Sequence, residues 1–151
     1  MTDTVSCPLC EQAGGDLVVQ GPQWRIVLAD DAGAQAFPGF TRVIWQEHCR
    51  EMTDLEAPSQ AELMQVVFAV ETLMREHLQP DKINLASLGN QVDHLHWHII
   101  PRWRADSHFP SPVWAAADPA RDPFKVAAPV LARYRQALQD TLAPSVWSKR
   151  R

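Results

Sequence analysis

Residues 94–98 read His-Leu-His-Trp-His, and no other stretch of the chain limits its fold so strongly. Polar and apolar residues alternating with a period of two fit a β-strand with one buried face. Such a strand turns His94, His96 and His98 to one side and Leu95, Trp97 and Ile99 to the other. The strand rise sets neighbouring histidine Cα atoms about 6–7 Å apart, so two rings can touch one substrate phosphate. Three readings are open for the row: satisfied histidines without chemistry, a metal centre, or a neutral imidazole attacking phosphorus while a neighbour handles the proton. Clustering three histidines without a use is unfavourable, because neighbouring imidazoliums repel.

The rest of the chain supplies strands and helices around that segment. Residues 17–20 and 24–28 read as short strands joined by Gly21-Pro22, and 41–45 as a third. The intervening stretch 30–39 reads as a loop. A long helix follows: Ser59 is placed to cap it, with Glu62 three residues on completing a capping box. Leu63, Val66, Val67, Val70, Leu73 and Met74 form its buried stripe. Residues 83–88 and 94–100 are strands, the latter closed by Pro101. A proline-rich segment after Arg102 reads as an irregular surface arm, and 126–142 as a last helix with Pro129 in its first turn. Strands, a long helix and more strands define an α+β class, with a mainly antiparallel sheet of about five strands and a C-terminal helix. No Gly-rich phosphate loop is present.

A length of 151 residues suits one core. The net charge of −4 argues against an extended nucleic-acid surface but leaves room for a small phosphate ligand. No apolar run is long enough for a bilayer. The first six residues lack the regions of a secretory signal, so the expectation is a cytoplasmic protein. Three cysteines there are thiols or metal ligands rather than a disulfide framework. The six tryptophans are expected mostly in the core, and the basic tail 149–151 as a frayed terminus.

His94-Leu-His96-Trp-His98-Ile-Ile, followed by Pro101-Arg102, resembles the signature of the histidine triad (HIT) family. The resemblance runs from Cys7 to about Arg102. It implies that residues 1–110 form a HIT-like catalytic domain, with 111–151 an arm and helix packed on it. It also implies a homodimer and a small nucleotide substrate cleaved at its α-phosphate. His96 would be the nucleophile, forming a covalent nucleotidyl-histidine that water resolves, and His98 would bond the phosphate or assist the leaving group. Asn90 or Gln91 matches a phosphate-contacting amide, Asn84 a strand asparagine near the nucleotide, and Asp30 or Asp31 the acid that holds the ribose hydroxyls. Each of these residue types also suits a turn or cap. Gly39-Phe40 stands where many members carry Gly-His, so any proton handling by that histidine is missing here. A nucleotidyl transferase using the same intermediate, a non-catalytic nucleotide-binding regulator and a three-histidine metalloenzyme are the competing functions.

Cys7-x-x-Cys10 has the spacing of a metal knuckle, and tetrahedral zinc needs two further ligands. His48 and His94 are the candidates, and some HIT proteins resemble this chain in joining these four positions on one zinc. Four protein ligands leave no open position, which makes such a zinc structural. The alternative is two buried thiols beside a surface histidine.

Overall fold

The computed structural model describes residues 6–150. The N-terminal stretch read for a targeting signal, apart from Ser6, and Arg151 of the basic tail lie outside them. Five strands form one antiparallel sheet: β1 (Asp16–Gln20), β2 (Trp24–Leu28), β3 (Thr41–Trp45), β4 (Lys82–Ala86) and β5 (His96–Arg102), in the order β1-β2-β3-β5-β4. The helices are α1 (Pro8–Glu11), α2 (Ala57–Leu78), α3 (Ala128–Leu142) and α4 (Pro144–Trp147). This is the α+β architecture expected of a HIT-like chain.

One face of the sheet is the core. Trp24, Ile26, Val43, Trp45 and Ile99 are buried there against Leu63, Val66, Val67, Val70 and Met74 of α2. The stripe read on α2 from its periodicity is the stripe it buries. Tyr134, Leu138 and Leu142 of α3 join the same cluster, and Pro129 sits in that helix's first turn. Buried polar groups are paired: Trp24 Nε1 donates to Glu62 at 3.1 Å, and the Thr41 and Tyr134 hydroxyls bond at 2.8 Å. Burial pushes the Tyr134 phenol far above its usual range. Four of the six tryptophans are buried, Trp97 is half-buried, and Trp114 is exposed.

The structure corrects several boundaries. Helix α2 starts at Ala57, with Glu56 at its N-cap, so Ser59 lies inside the first turn and is no cap. Pro58 is tolerated in that turn, where a missing N–H costs nothing. Glu62 turns away from the helix start to meet Trp24. Strand β5 runs through Pro101 to Arg102, because β3 already ends opposite it, at Thr41 facing Ile99. Proline is accepted on an edge that lacks a partner strand. Strand β4 ends at Ala86, not at 88.

The segment after Arg102 lacks regular structure, yet it is not a loose surface arm. Asp106 and Ser107 are buried. Asp106 pairs with Arg102 at 2.8 Å and accepts the backbone N–H groups of Trp103, His108 and Phe109. The basic tail folds into a short turn over 148–150. Among the described residues, no helix is long and apolar enough to cross a membrane.

Candidate active site and metal centre

The face of the sheet opposite α2 and α3 carries the polar chemistry. Register puts Arg42 of β3 across from His98 of β5, and Ile44 across from His96. On the other flank Ala86 faces His98 and Asn84 faces Ile100. His96, His98, Arg42 and Asn84 therefore share one surface.

Two of the three histidines stand on that strand. The His96 and His98 rings lie 4.8 Å apart, centre to centre, nearly edge to face. His96 Nδ1 is 2.5 Å from the His94 carbonyl oxygen. A carbonyl only accepts, so Nδ1 carries the ring proton and Nε2 keeps the lone pair. Burial lowers the His96 pKa below the usual imidazole range, and the Arg42 charge works in the same direction, outweighing the carbonyl bond. Burial pushes His98 down to about 3, helped by the neighbouring His96 and Arg42 charges. Neutral rings do not repel, so the expected clash between clustered imidazoliums is avoided. The Phe40 ring meets the His98 ring edge-on at 5.5 Å, so position 40 contributes apolar packing to His98. His98 Nδ1 is buried and, among the described residues, has no hydrogen-bond partner.

His94 departs from the row. It precedes β5, because the Leu95 backbone is already bonded to Cys49 and Trp45. Its Nε2 donates to the Trp45 carbonyl at 2.6 Å, which fixes the proton there and aims the Nδ1 lone pair the other way. That lone pair meets Cys7 Sγ at 3.4 Å, Cys10 Sγ at 3.5 Å and His48 Nδ1 at 3.3 Å. The four donor atoms lie within 4.8 Å of one another.

These spacings can be tested against a metal. Tetrahedral bonds of ordinary zinc–sulfur and zinc–nitrogen length separate two nitrogens by about 3.3 Å and a sulfur from a nitrogen by about 3.5 Å. His94 to both sulfurs, Cys10 to His48 at 3.5 Å, and His48 to His94 have those separations, and two thiols with two imidazoles are a zinc donor set. Cys7, Cys10, His48 and His94 can hold a metal ion, in agreement with the expectation. Cys49 packs against the main core, apart from the cluster.

Arg25 builds the support for this corner. It lies on β2 and donates to the carbonyls of Leu9, Gln12 and Ala13 at 2.6, 3.0 and 2.8 Å. Those bonds fasten α1, and with it both cysteines, to the sheet. Neither Arg25 nor Arg42 belongs to a motif recognisable in the sequence. The available signal is an arginine at the second position of a short, largely apolar strand.

The other expected nucleotide contacts are scattered. Asp30 is exposed, and among the described residues its carboxylate makes no side-chain bond. Asp31 is engaged: it pairs with Arg42 at 2.5 Å and caps the Ala34 N–H at 3.1 Å. Burial raises its pKa, but the Arg42 bond and charge bring the net shift below the usual carboxylate range. Asn84 uses its carbonyl oxygen to accept from Arg102 at 3.1 Å. Asn90 and Gln91 are exposed in the loop before His94. Beside His96 a small cleft is lined by Ser87, Leu88, Gly89 and Asp93, not by those two amides.

Comparison with known proteins defines the family and the fold. The HIT domain model matches residues 12–105, and the chain belongs to the HIT family. A histidine triad protein from Bradyrhizobium japonicum is 28% identical, with a TM-score of 0.65 over 83% of this chain and 90% of that one. One from Marinobacter aquaeolei is 26% identical, with a TM-score of 0.66 over 86% and 90%. A zinc-bound histidine triad family protein from Mycobacterium smegmatis shares the fold, at 21% identity and a TM-score of 0.58 over 89% and 94%. A curated relative, the AP-4-A phosphorylase of Mycobacterium tuberculosis, is 31% identical over 78 residues. That match spans 48% of this chain and 40% of the relative.

Elemental analysis of the purified protein is expected to find about one zinc per chain. Cys7→Ser should lower the content several-fold, because three donors hold the ion far less firmly than four. A metal-free wild type that is fully folded, or a Cys7→Ser protein that keeps its zinc, would count against the cluster as a zinc site.

Proposed function

We propose that the chain is a nucleotide hydrolase that cleaves at an α-phosphate through a covalent nucleotidyl-His96 intermediate. The observation that carries this reading is the His96 ring itself. Its proton is held on Nδ1 by the His94 carbonyl, and among the described residues no group bonds Nε2. A neutral imidazole with a free, directed lone pair is the form needed for attack on phosphorus.

His98 stands at ring-contact distance from the nucleophile with an unpartnered nitrogen. It suits a hydrogen bond to a phosphoryl or bridging oxygen as charge develops there. Asp30, whose carboxylate is exposed and makes no side-chain bond among the described residues, is the candidate for the ribose hydroxyls. Asn84, Asn90 and Gln91 are kept as nucleotide-side contacts, with Asn84 offering its amide N–H groups. Zinc, when bound, supplies cross-linking: it ties α1 and the residues after β3 to His94, two positions from His96. The residues that act on substrate are His96 and His98.

The phosphorylase relative favours a second reading, in which inorganic phosphate instead of water accepts the nucleotide from His96. One assay separates the two. The protein is incubated with diadenosine tetraphosphate or an adenosine phosphoramidate, with and without inorganic phosphate, and the products are resolved by chromatography. Hydrolysis yields the nucleoside monophosphate under both conditions. Transfer yields the nucleoside diphosphate only when phosphate is present. Absence of any product across both substrates would leave a nucleotide-binding protein and end the enzymatic reading.

A further inference from the structure

Arg42 is the one guanidinium placed directly opposite a triad histidine among the described strand pairs. It is an unusual residue for its position, the second of β3, between Thr41 and Val43, both fully buried. Its side chain is only 18% exposed. The guanidinium lies over the Phe40 ring at 5.3 Å, and the same ring packs against His98. Arg42, Phe40 and His98 thus form one continuous patch on the open face of the sheet.

The hydrogen-bond inventory of Arg42 is incomplete. The group has five N–H donors. Nη2 donates to Asp31 at 2.5 Å and Nη1 to the Gly14 carbonyl at 3.2 Å. Nε is buried and has no partner among the described residues. Across the ladder, His98 is only 8% exposed, and its buried Nδ1 is also without one. Two unsatisfied buried nitrogens on facing residues are costly, and they mark a place where a polar group belongs. The Asp31 pairing does not close this place to a ligand. That carboxylate is 50% exposed, and ion pairs open to water are weak. The phosphate next to the one under attack offers a guanidinium two non-bridging oxygens and a negative charge, the forked geometry that arginine matches.

We propose that Arg42 is a specificity-determining residue that binds the phosphate chain of the substrate, so that the site favours nucleotides whose leaving group is itself a phosphate. This rests on the reading of His96 and His98 as the reacting pair. The guanidinium would turn from Asp31 toward non-bridging oxygens of the phosphate next to the one under attack. Substrates with a neutral amine leaving group present no such oxygens.

The test compares wild type, Arg42→Gln and Arg42→Lys in two measurements. In the first, kcat/KM is taken with diadenosine tetraphosphate and with an adenosine phosphoramidate. Arg42→Gln is expected to lose about tenfold to a hundredfold on the polyphosphate, as when one charge-assisted hydrogen bond is removed. Its loss on the phosphoramidate is expected to stay within about threefold, and Arg42→Lys should recover part of the polyphosphate rate. In the second, ADP and AMP affinities are measured by calorimetry, which needs no turnover. The wild type should prefer ADP, and Arg42→Gln should erase that preference. Equal losses on both substrates, or an ADP preference that survives Arg42→Gln in a protein with an unchanged melting curve, overturns the assignment. If Arg42→Gln does not fold, Arg42→Lys carries the same test: the ADP preference must shrink while AMP binding holds. ADP preference controlled by Arg42 in a protein without turnover supports Arg42 and refutes the hydrolase. A wild type that binds neither nucleotide refutes both.

Discussion

His96→Ala is expected to reduce nucleotide turnover by at least about a thousandfold, the scale of losing a covalent nucleophile. The loss should fall on kcat, with nucleotide affinity changed far less, because the ring's essential contact is with phosphorus during reaction. The fold should survive. His96 points to the open face of the sheet, away from the core against α2 and α3. The zinc cluster should survive as well, since His94 contributes its side chain to that cluster and only its carbonyl to His96. The measurements are steady-state rates, circular dichroism and zinc content on the same preparation. Turnover within tenfold of wild type, in a protein with intact zinc, would remove His96 from the mechanism. His98→Ala offers a graded comparison: a partner that assists a leaving group contributes about a hundredfold to ten-thousandfold. A smaller loss there than at His96 is the order expected when one ring makes the bond and the other assists.

The histidine alternation could be read from the chain because a period of two has a single structural meaning once one face is apolar. For the same reason the apolar stripe of α2 is the one it buries. What sequence could not supply was pairing between distant segments. His94 belongs to the same alternation, yet it leaves the strand because Cys49 and Trp45 compete for the Leu95 backbone. Ser59 and Glu62 have the spacing of a capping box, but Glu62 is claimed by Trp24 of β2, a contact of sequence separation 38. Arg42 in isolation is indistinguishable from an arginine on a solvated strand face. Its importance depends on β3 lying beside β5 in a register that sets residue 42 against residue 98. The zinc donors were recognisable as residue types, whereas their convergence depends on Arg25 fastening the α1 backbone from a third strand.

Asp106→Ala is expected to destabilise the protein by about 3–5 kcal/mol, the cost of breaking a buried ion pair and leaving its partner charged. For a chain of this size that corresponds to a fall in melting temperature on the order of 10 °C. Asp106 has no exposure, and Arg102 is 3% exposed. Burial alone would raise the carboxyl pKa, but the Arg102 bond, the His108 N–H and the Arg102 charge outweigh it, so the net shift is downward. A carboxylate with a depressed folded-state pKa stabilises the fold above the ordinary carboxylate range and loses that contribution as pH falls through its folded value. The wild type should therefore lose stability on acidification more steeply than Asp106→Asn, which cannot titrate there. The consequences extend beyond stability. Arg102 also holds Asn84 and the Ser111 carbonyl and lies over the Phe37 ring at 5.2 Å. Phe37, Phe40 and Ile100 form the small cluster that continues to His98. Releasing Arg102 frees the segment after β5 from this cluster, so nucleotide affinity should weaken together with the melting temperature. Asp106→Asn keeps the shape and part of the hydrogen bonding, and it should fall between wild type and Asp106→Ala in both readings. A melting temperature within about 2 °C of wild type for Asp106→Ala would mean that the buried pair is not what fastens the segment to the sheet.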